Sequence, residues 1–389
     1  MALTTVSSDR LSTNVKNTNF TAAEKQDLTD DILPLAGQLG NRNLVHNGAF
    51  LVAQRGTSST SNAYATVDRW RGDNSGTDES PTQAQVDVAS GTTPYTLGFR
   101  KAFSITNGNQ TSGAGTNDQV SMTHYIEGQD IANSGWNYTS ASSFITLSFW
   151  VKSSVAQNFY GYFRSNNGAS QLYPFETGSL SANTWTKITK TIPGNSNLTY
   201  NNDNSSSASI FLSAYRGTDQ TGSITLNQWG AYNSSIRAPD YTSTWYTTND
   251  ATFEITGVQL EVGSVATDFE HRSFAQELTL CQRYYQQLEG AARSFNELFF
   301  GSFNTGTELV VTRLLPVVMR GAPSVTVSST MTDFDIEPFD QAPSGVGLRH
   351  STIKEICLNV TSPTSRTVGF YAVLSSHATG ALITISADL

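Results

Sequence analysis

The sequence predicts a mainly β protein. An N-terminal helical arm (1–42) leads into a large β-sandwich of jelly-roll type (43–272). A short connecting helix (273–290) and a C-terminal β-sandwich domain (291–389) follow. Three observations predict this. Runs of alternating apolar and polar residues recur from Asn43 onward. The stretches between them are rich in turn residues, as in Ser165-Asn-Asn-Gly168 and Gly194-Asn-Ser-Asn197. Only 14% of the 389 residues are charged, against roughly a quarter in an ordinary soluble chain. Aromatics stand at 11%, so the deficit in charge belongs to a chain able to build cores and not to a disordered one.

The arm is read first. Thr21-Ala-Ala-Glu24 has capping-box spacing, and Leu28, Ile32 and Leu35 follow at i, i+4, i+7 as one apolar stripe. Pro34, Gly37 and Gly40 end the helix. A helix this short is marginal alone. Its stripe therefore packs on its own domain or serves as an attachment surface, which makes Leu28, Ile32 and Leu35 docking candidates.

In the large domain, strands are expected at 144–151, 158–164, 186–192, 208–215, 222–229 and 252–261. Splitting each by parity gives an aliphatic core face and an opposite face. Ile145, Leu147, Phe149 and Val151 oppose Thr146, Ser148, Trp150 and Lys152. Phe159 and Phe163 oppose Tyr160, Tyr162 and Arg164, and Ile210, Leu212 and Ala214 oppose Phe211, Ser213 and Tyr215. Ile224 and Leu226 oppose Thr225, Asn227 and Trp229. The outward mixture of rings, hydroxyls and amides suits sugars, whose C–H faces stack on flat rings while their hydroxyls bond the rim. It suits subunit interfaces equally. Trp150, Tyr160, Tyr162, Tyr215 and Trp229 are the carbohydrate-binding candidates.

Ala275 to Leu288 reads as a helix with Leu278, Cys281, Tyr285 and Leu288 on one face, the candidates for an oligomer interface. Beyond it, 294–303 and 308–315 flank Asn304-Thr-Gly306 as a hairpin, and strands are expected at 324–328, 355–360, 367–373 and 382–386.

Several classes are excluded or disfavoured. With 23 Lys and Arg against 32 Asp and Glu, net −9, and no basic cluster, nucleic acid is not an expected partner. No apolar run is long enough for membrane insertion, and the start lacks the features of a secretory signal. Cys281 and Cys357 read as buried thiols, able to form one bridge at most. The histidines 46, 124, 271, 350 and 377 show no metal-ligand spacing, and neither a GxSxG elbow nor a phosphate loop is present. Asp333, Asp335, Glu337 and Asp340 read as solvated loop charges, although two of them facing across a sugar would make a glycosidase. Catalytic residues, metal and cofactor are thus all expected to be none.

One resemblance covers the chain from about residue 41 to its end. Asn43-Leu-Val-His-Asn-Gly-Ala-Phe50, Gln54-Arg-Gly56, Val67-Asp-Arg-Trp70, Tyr125-Ile-Glu-Gly128 and Leu147-Ser-Phe-Trp-Val-Lys-Ser153 resemble, in this order, segments of bacteriophage tail fibre and tail tip proteins. Ile255-Thr-Gly-Val-Gln-Leu-Glu-Val-Gly263, Ala266-Thr-Asp-Phe-Glu-His-Arg272 and Glu277-Leu-Thr-Leu-Cys-Gln-Arg-Tyr-Tyr285 continue the pattern, with Leu315 to Pro323 and Ser386-Ala-Asp-Leu389 near the end. Asn47-Gly-Ala-Phe50 and Glu254-Ile-Thr-Gly-Val-Gln-Leu260 also resemble the first and last strands of carbohydrate-binding jelly rolls. The resemblance implies a homotrimeric virion component that contacts host surface polysaccharide or lipopolysaccharide. Its arm would dock to the tail or an adaptor, its C-terminal unit would be the tip, and it would be assembled in the bacterial cytoplasm. It carries over no fixed binding residues. The rivals are a purely structural adaptor or collar component, and a polysaccharide depolymerase, which ordinarily shows a long repeat that this sequence lacks.

Overall fold

The computed structural model describes residues 41–289, 296–328, 330–376, 378 and 381–389. The arm, with Leu28, Ile32 and Leu35, lies outside the described residues, as does His377. The protein is mainly β, with 43% of residues in strands and 8% helical.

The first twelve strands in chain order begin with β1 (Ser58–Ser59), β2 (Trp70–Ser75), β3 (Thr82–Asp87), β4 (Lys101–Thr106), β5 (Gln119–Glu127) and β6 (Phe144–Ser153). The rest are β7 (Asn158–Ser165), β8 (Gln171–Ser179), β9 (Thr186–Pro193), β10 (Ser206–Arg216), β11 (Gly230–Ala231) and β12 (Thr252–Val262). Among the described residues they form two six-stranded sheets, β1-β3-β4-β12-β6-β9 and β11-β8-β7-β10-β5-β2, antiparallel throughout. Alternation explains the strands. In β6, Ile145, Leu147, Phe149 and Val151 join one core with Phe159, Phe163, Ile210 and Leu212 of the other sheet. Phe159 lies 4.9 Å from Phe253, and Phe149 lies 6.4 Å from Phe175, so the aliphatic faces of the two sheets meet as the parity reading requires.

Three expectations are corrected here. Residues 222–229 are not a strand; β11 follows them. Asn227 takes a left-handed φ of 57° and donates its N–H to the Pro174 carbonyl at 2.7 Å, which turns the segment and leaves Ile224 and Leu226 half-buried instead of in the core. Tyr215 points inward. A register shift between Ser213 and Tyr215 places Tyr215 opposite Val120, itself a core residue, because a bulge inverts the alternation beyond it. The third concerns the helix. It runs Phe274–Gln282 only, begun by a capping box in which Ser273 and Gln276 satisfy one another's backbone N–H groups. Tyr285 and Leu288 lie instead in a strand, Tyr285–Glu289, paired with Leu382–Ser386. Strand pairing overrides the helical periodicity, so the face Leu278, Cys281, Tyr285 and Leu288 does not exist as read. Cys281 is fully buried within the chain, and Leu278 and Leu288 are half-buried.

That strand is β13. The others are β14 (Asn296–Phe303), β15 (Glu308–Leu314), β16 (Ser324–Val327), β17 (Phe334–Glu337), β18 (Gly345–Ser351), β19 (Glu355–Thr361), β20 (Tyr371–Ser376) and β21 (Leu382–Ser386). They form a three-stranded sheet β13-β21-β16 and a six-stranded sheet β17-β20-β14-β15-β19-β18. A second core joins Ile383 and Ile385 to Phe299, Val311, Leu358 and Leu374. The hairpin around Asn304–Gly306 pairs as expected, with Phe303 opposite Leu309.

The two cores belong to one compact unit, Asn43–Leu389. At their junction Arg283 and the Tyr284 hydroxyl bind the Glu127 carboxylate. Arg55 stacks 3.5 Å from the Tyr285 ring centroid, and the Arg69 guanidinium lies 3.4 Å from that of Tyr284. Burial, with Arg69 next, holds His46 and His124 well below the ordinary histidine value.

Candidate functional site

The sandwich separates the five sequence candidates. Trp150 stands half-exposed on the outer face of the first sheet, whereas Tyr160 and Tyr162 stand on the outer face of the second. They cannot form one platform. Tyr162 is only 1% exposed, stacked on Phe211 at 4.5 Å, and Tyr160 packs against Tyr241 at 5.0 Å. Tyr215 stacks on Tyr246 at 4.4 Å inside the core. Trp229 packs against the core edge-on to Tyr173 at 5.4 Å and donates its indole N–H to the Pro193 carbonyl at 2.6 Å. It lines a slot of about 160 Å³ with Leu172, Pro174 and Ile224.

Trp150 differs. It lines an open cleft of about 270 Å³ with Ser148, Lys187 and Gly257 of the sheet, Leu97 and Phe99 of the 88–100 loop, and Thr267, Asp268, Phe269 and His271 of the segment after β12. Register sets the sheet side: Trp150 pairs with Lys187 on β9 and Thr256 on β12, and Ser148 with Gln259. Phe99, Phe269 and His271 form an aromatic wall with centroids 4.9–5.1 Å apart. Gly257 makes room for it. Its φ is +63°, and a Cβ there would lie 2.5 Å from the Phe99 ring, so the bulge of β12 requires glycine on both counts.

The segment that carries Phe269 and His271 is held by side chains that the sequence placed among general β residues. Glu261 accepts hydrogen bonds from the Thr267 N–H at 2.9 Å and its hydroxyl at 2.6 Å. The Gln259 carbonyl oxygen accepts from the Glu270 N–H at 2.8 Å. Glu270 in turn accepts from the Asn43 N–H at 2.8 Å, and Arg272 donates to the Val45 carbonyl at 3.3 Å and to the Asn43 carbonyl. His271 Nε2 lies 2.9 Å from the Leu97 carbonyl, which fixes the proton on that nitrogen. The stretch from Ile255 to Arg272 thus folds the exit of the sandwich back over its outer face. Phe99, Lys187, Phe269 and His271 were missed as site residues. The available signal was the ring-rich Thr267-Asp-Phe-Glu-His271 immediately after the Gly257 bulge.

Chemically the cleft offers a flat indole and an aromatic wall, rimmed by hydroxyl, ammonium and carboxylate groups. Glycoside hydrolysis needs two carboxyl groups across the bond, and the lining residues include one, Asp268. Elsewhere, Asp335, Glu337 and Asp340 bring carboxylate oxygens within 4.8 Å of one another, an arrangement able to hold a cation. Asp335 is buried on β17, a correction to its reading as a solvated loop charge.

No protein-family model matches the chain, and no curated protein matches it. Among solved structures, it is similar to the enzymatically active domain of bacteriophage CBA120 tailspike protein 4, at 15% identity and TM-score 0.31, over 57% of this chain and 21% of that one. It is similar to a putative sugar binding protein from Bacteroides thetaiotaomicron, at 12% identity and TM-score 0.31, over 57% of this chain and 100% of that one. A carbohydrate-binding module in complex with β-1,4-galactotriose matches at 9% identity and TM-score 0.27, over 58% of this chain and 100% of that one. These values are too low to transfer a function.

Proposed function

We propose that this chain is a non-enzymatic receptor-binding protein of a phage tail, adhering to host surface polysaccharide or lipopolysaccharide through the cleft over Trp150. The observation that carries the binding reading is the cleft itself: an accessible indole beside Phe99, Phe269 and His271, with Ser148, Thr267, Lys187 and Asp268 able to bond sugar hydroxyls. Of the other candidate rings, Tyr162 and Tyr215 are buried, and Tyr160 and Trp229 pack against Tyr241 and Tyr173. The virion role and tail location rest on the ordered segments between residues 41 and 389 that resemble tail fibre proteins, and the docking role of the arm on the stripe of Leu28, Ile32 and Leu35.

Self-association as a homotrimer is favoured by the outer face of the sheet β17-β20-β14-β15-β19-β18. Phe300 pairs with Thr312, and Ser302 with Tyr371, so Tyr371, Phe300 and Leu314 lie on one diagonal of one face. They are 61%, 44% and 73% exposed, an apolar stripe that another copy of the chain would cover.

A glycan array probed with the full chain tests the binding reading. Trp150→Ala should lower affinity at least about tenfold, the loss expected of a central aromatic anchor. Undiminished binding by that variant overturns the site, and release of oligosaccharides from a bound polysaccharide overturns the non-enzymatic assignment.

A further inference from the structure

We infer that the Trp150 cleft selects an anionic sugar, its carboxylate or phosphate held by Lys187 while the ring stacks on Trp150; this rests on the binding reading above. The charges around the cleft are almost all committed. Lys152 pairs with Glu254 at 2.9 Å and lies 5.0 Å from the Trp185 ring. Arg272 pairs with Glu270 at 3.3 Å, Lys101 with Asp87 at 2.6 Å, and Arg100 stacks 3.9 Å from the Tyr95 ring. Glu261 is engaged by Thr267, and Asp268, which also lines the cleft, has an interaction of its own.

Lys187 is different. Among the described residues its ammonium has neither an ion-pair nor a hydrogen-bond partner, and it is exposed. Its backbone sits directly opposite Trp150 on the neighbouring strand, which places the two Cβ atoms about 5 Å apart. An uncommitted ammonium beside a flat ring matches a sugar that presents an apolar C–H face and a charged substituent together. Charge-assisted hydrogen bonds are the strong ones in such a contact. The net charge of −9 does not oppose this, because at physiological salt charges beyond about 8 Å are screened and the local group decides.

The test uses the full chain on an array of bacterial capsular polysaccharides and lipopolysaccharides. Uronate-bearing and phosphorylated glycans form separate arms, and carboxyl-reduced and dephosphorylated counterparts are printed beside them. The expected result is binding to anionic glycans that falls at least tenfold when the charge is removed, with the responding arm identifying carboxylate or phosphate. Lys187→Gln should abolish that discrimination, and Lys354→Gln, near the second core, should retain it. Equal binding of charged and uncharged forms by the unaltered chain, with Trp150→Ala still defective, overturns the anionic assignment and leaves the binding reading standing. Binding that survives Trp150→Ala, or no glycan binding at all, overturns both.

Discussion

Arg283 grips the Glu127 carboxylate with two prongs, Nε and Nη2 each 2.8 Å from an oxygen. The carboxylate is fully buried, and β5, which carries it, belongs to the sandwich, while Arg283 leads into β13, beside the second core. Burial pushes the Glu127 carboxyl up, but the Arg283 and Tyr284 hydrogen bonds outweigh it and hold the group below its ordinary value of 4.5.

Breaking this pair should therefore weaken the joint between the cores. Arg283→Ala is expected to cost about 3 kcal/mol, since it strands a buried charge, read as a lower urea midpoint at pH 7. A carboxyl held low contributes stability above its unfolded value and loses it as pH falls through the folded one. The difference between the variant and the unaltered protein should thus shrink below pH 4.5. A difference that is constant with pH would contradict the assignment.

Asp68 behaves with the opposite sign. Burial raises its carboxyl from 3.8 to about 6, against the pull of Gln54 and Arg55. A group raised in the folded state holds its proton more tightly there, so folding gains stability as pH falls from about 7 toward 4. Unfolding free energies of the unaltered protein and Asp68→Asn, from urea titrations, should converge or cross in favour of the former over that window, by up to about 3 kcal/mol. The neutral buried His46 and His124 pull the other way in both proteins and cancel in the comparison.

Gly257→Ala tests the cleft's architecture. The added methyl meets the Phe99 ring at 2.5 Å and demands a left-handed alanine. A loss of about 2 kcal/mol is expected from overpacking and backbone strain together, accompanied by weakened glycan binding as the aromatic wall shifts. A stable variant with intact binding would show that the Phe99 ring moves away at little cost.

The apolar diagonal of Tyr371, Phe300 and Leu314 predicts an assembly. Light scattering on the full chain should give a trimer, and replacing Phe300, Leu314 and Tyr371 by serine should lower the mass toward one chain. A monomer in the unaltered protein would remove self-association from the proposal.

Alternation was legible in the sequence where strands are regular. The parity of Ile145 to Lys152 placed Trp150 outward, and the structure has it there. It failed wherever one extra residue enters a strand. The bulge after Ser213 inverted Tyr215, and no periodicity could have shown it because the inversion is local. The helical pattern over 275–288 was real to Gln282, and beyond that a partner strand nearly a hundred residues away, Leu382–Ser386, decided the outcome. Lys187 and Phe269 reach Trp150 through strand register and through side-chain bonds of Glu261 and Gln259, long-range facts that composition does not encode.

The bonds between Asn43 and the segment leading to Arg272 have a mechanical consequence. The chain enters the sandwich and leaves it at adjacent points, tied by Asn43 to Glu270 and Arg272 and by Asn47 to Glu277. Tension along the backbone therefore meets this clasp, and the bonds of Asn43 and Leu44 to β12, before it reaches the other strands. A pull on the chain loads these short polar contacts first.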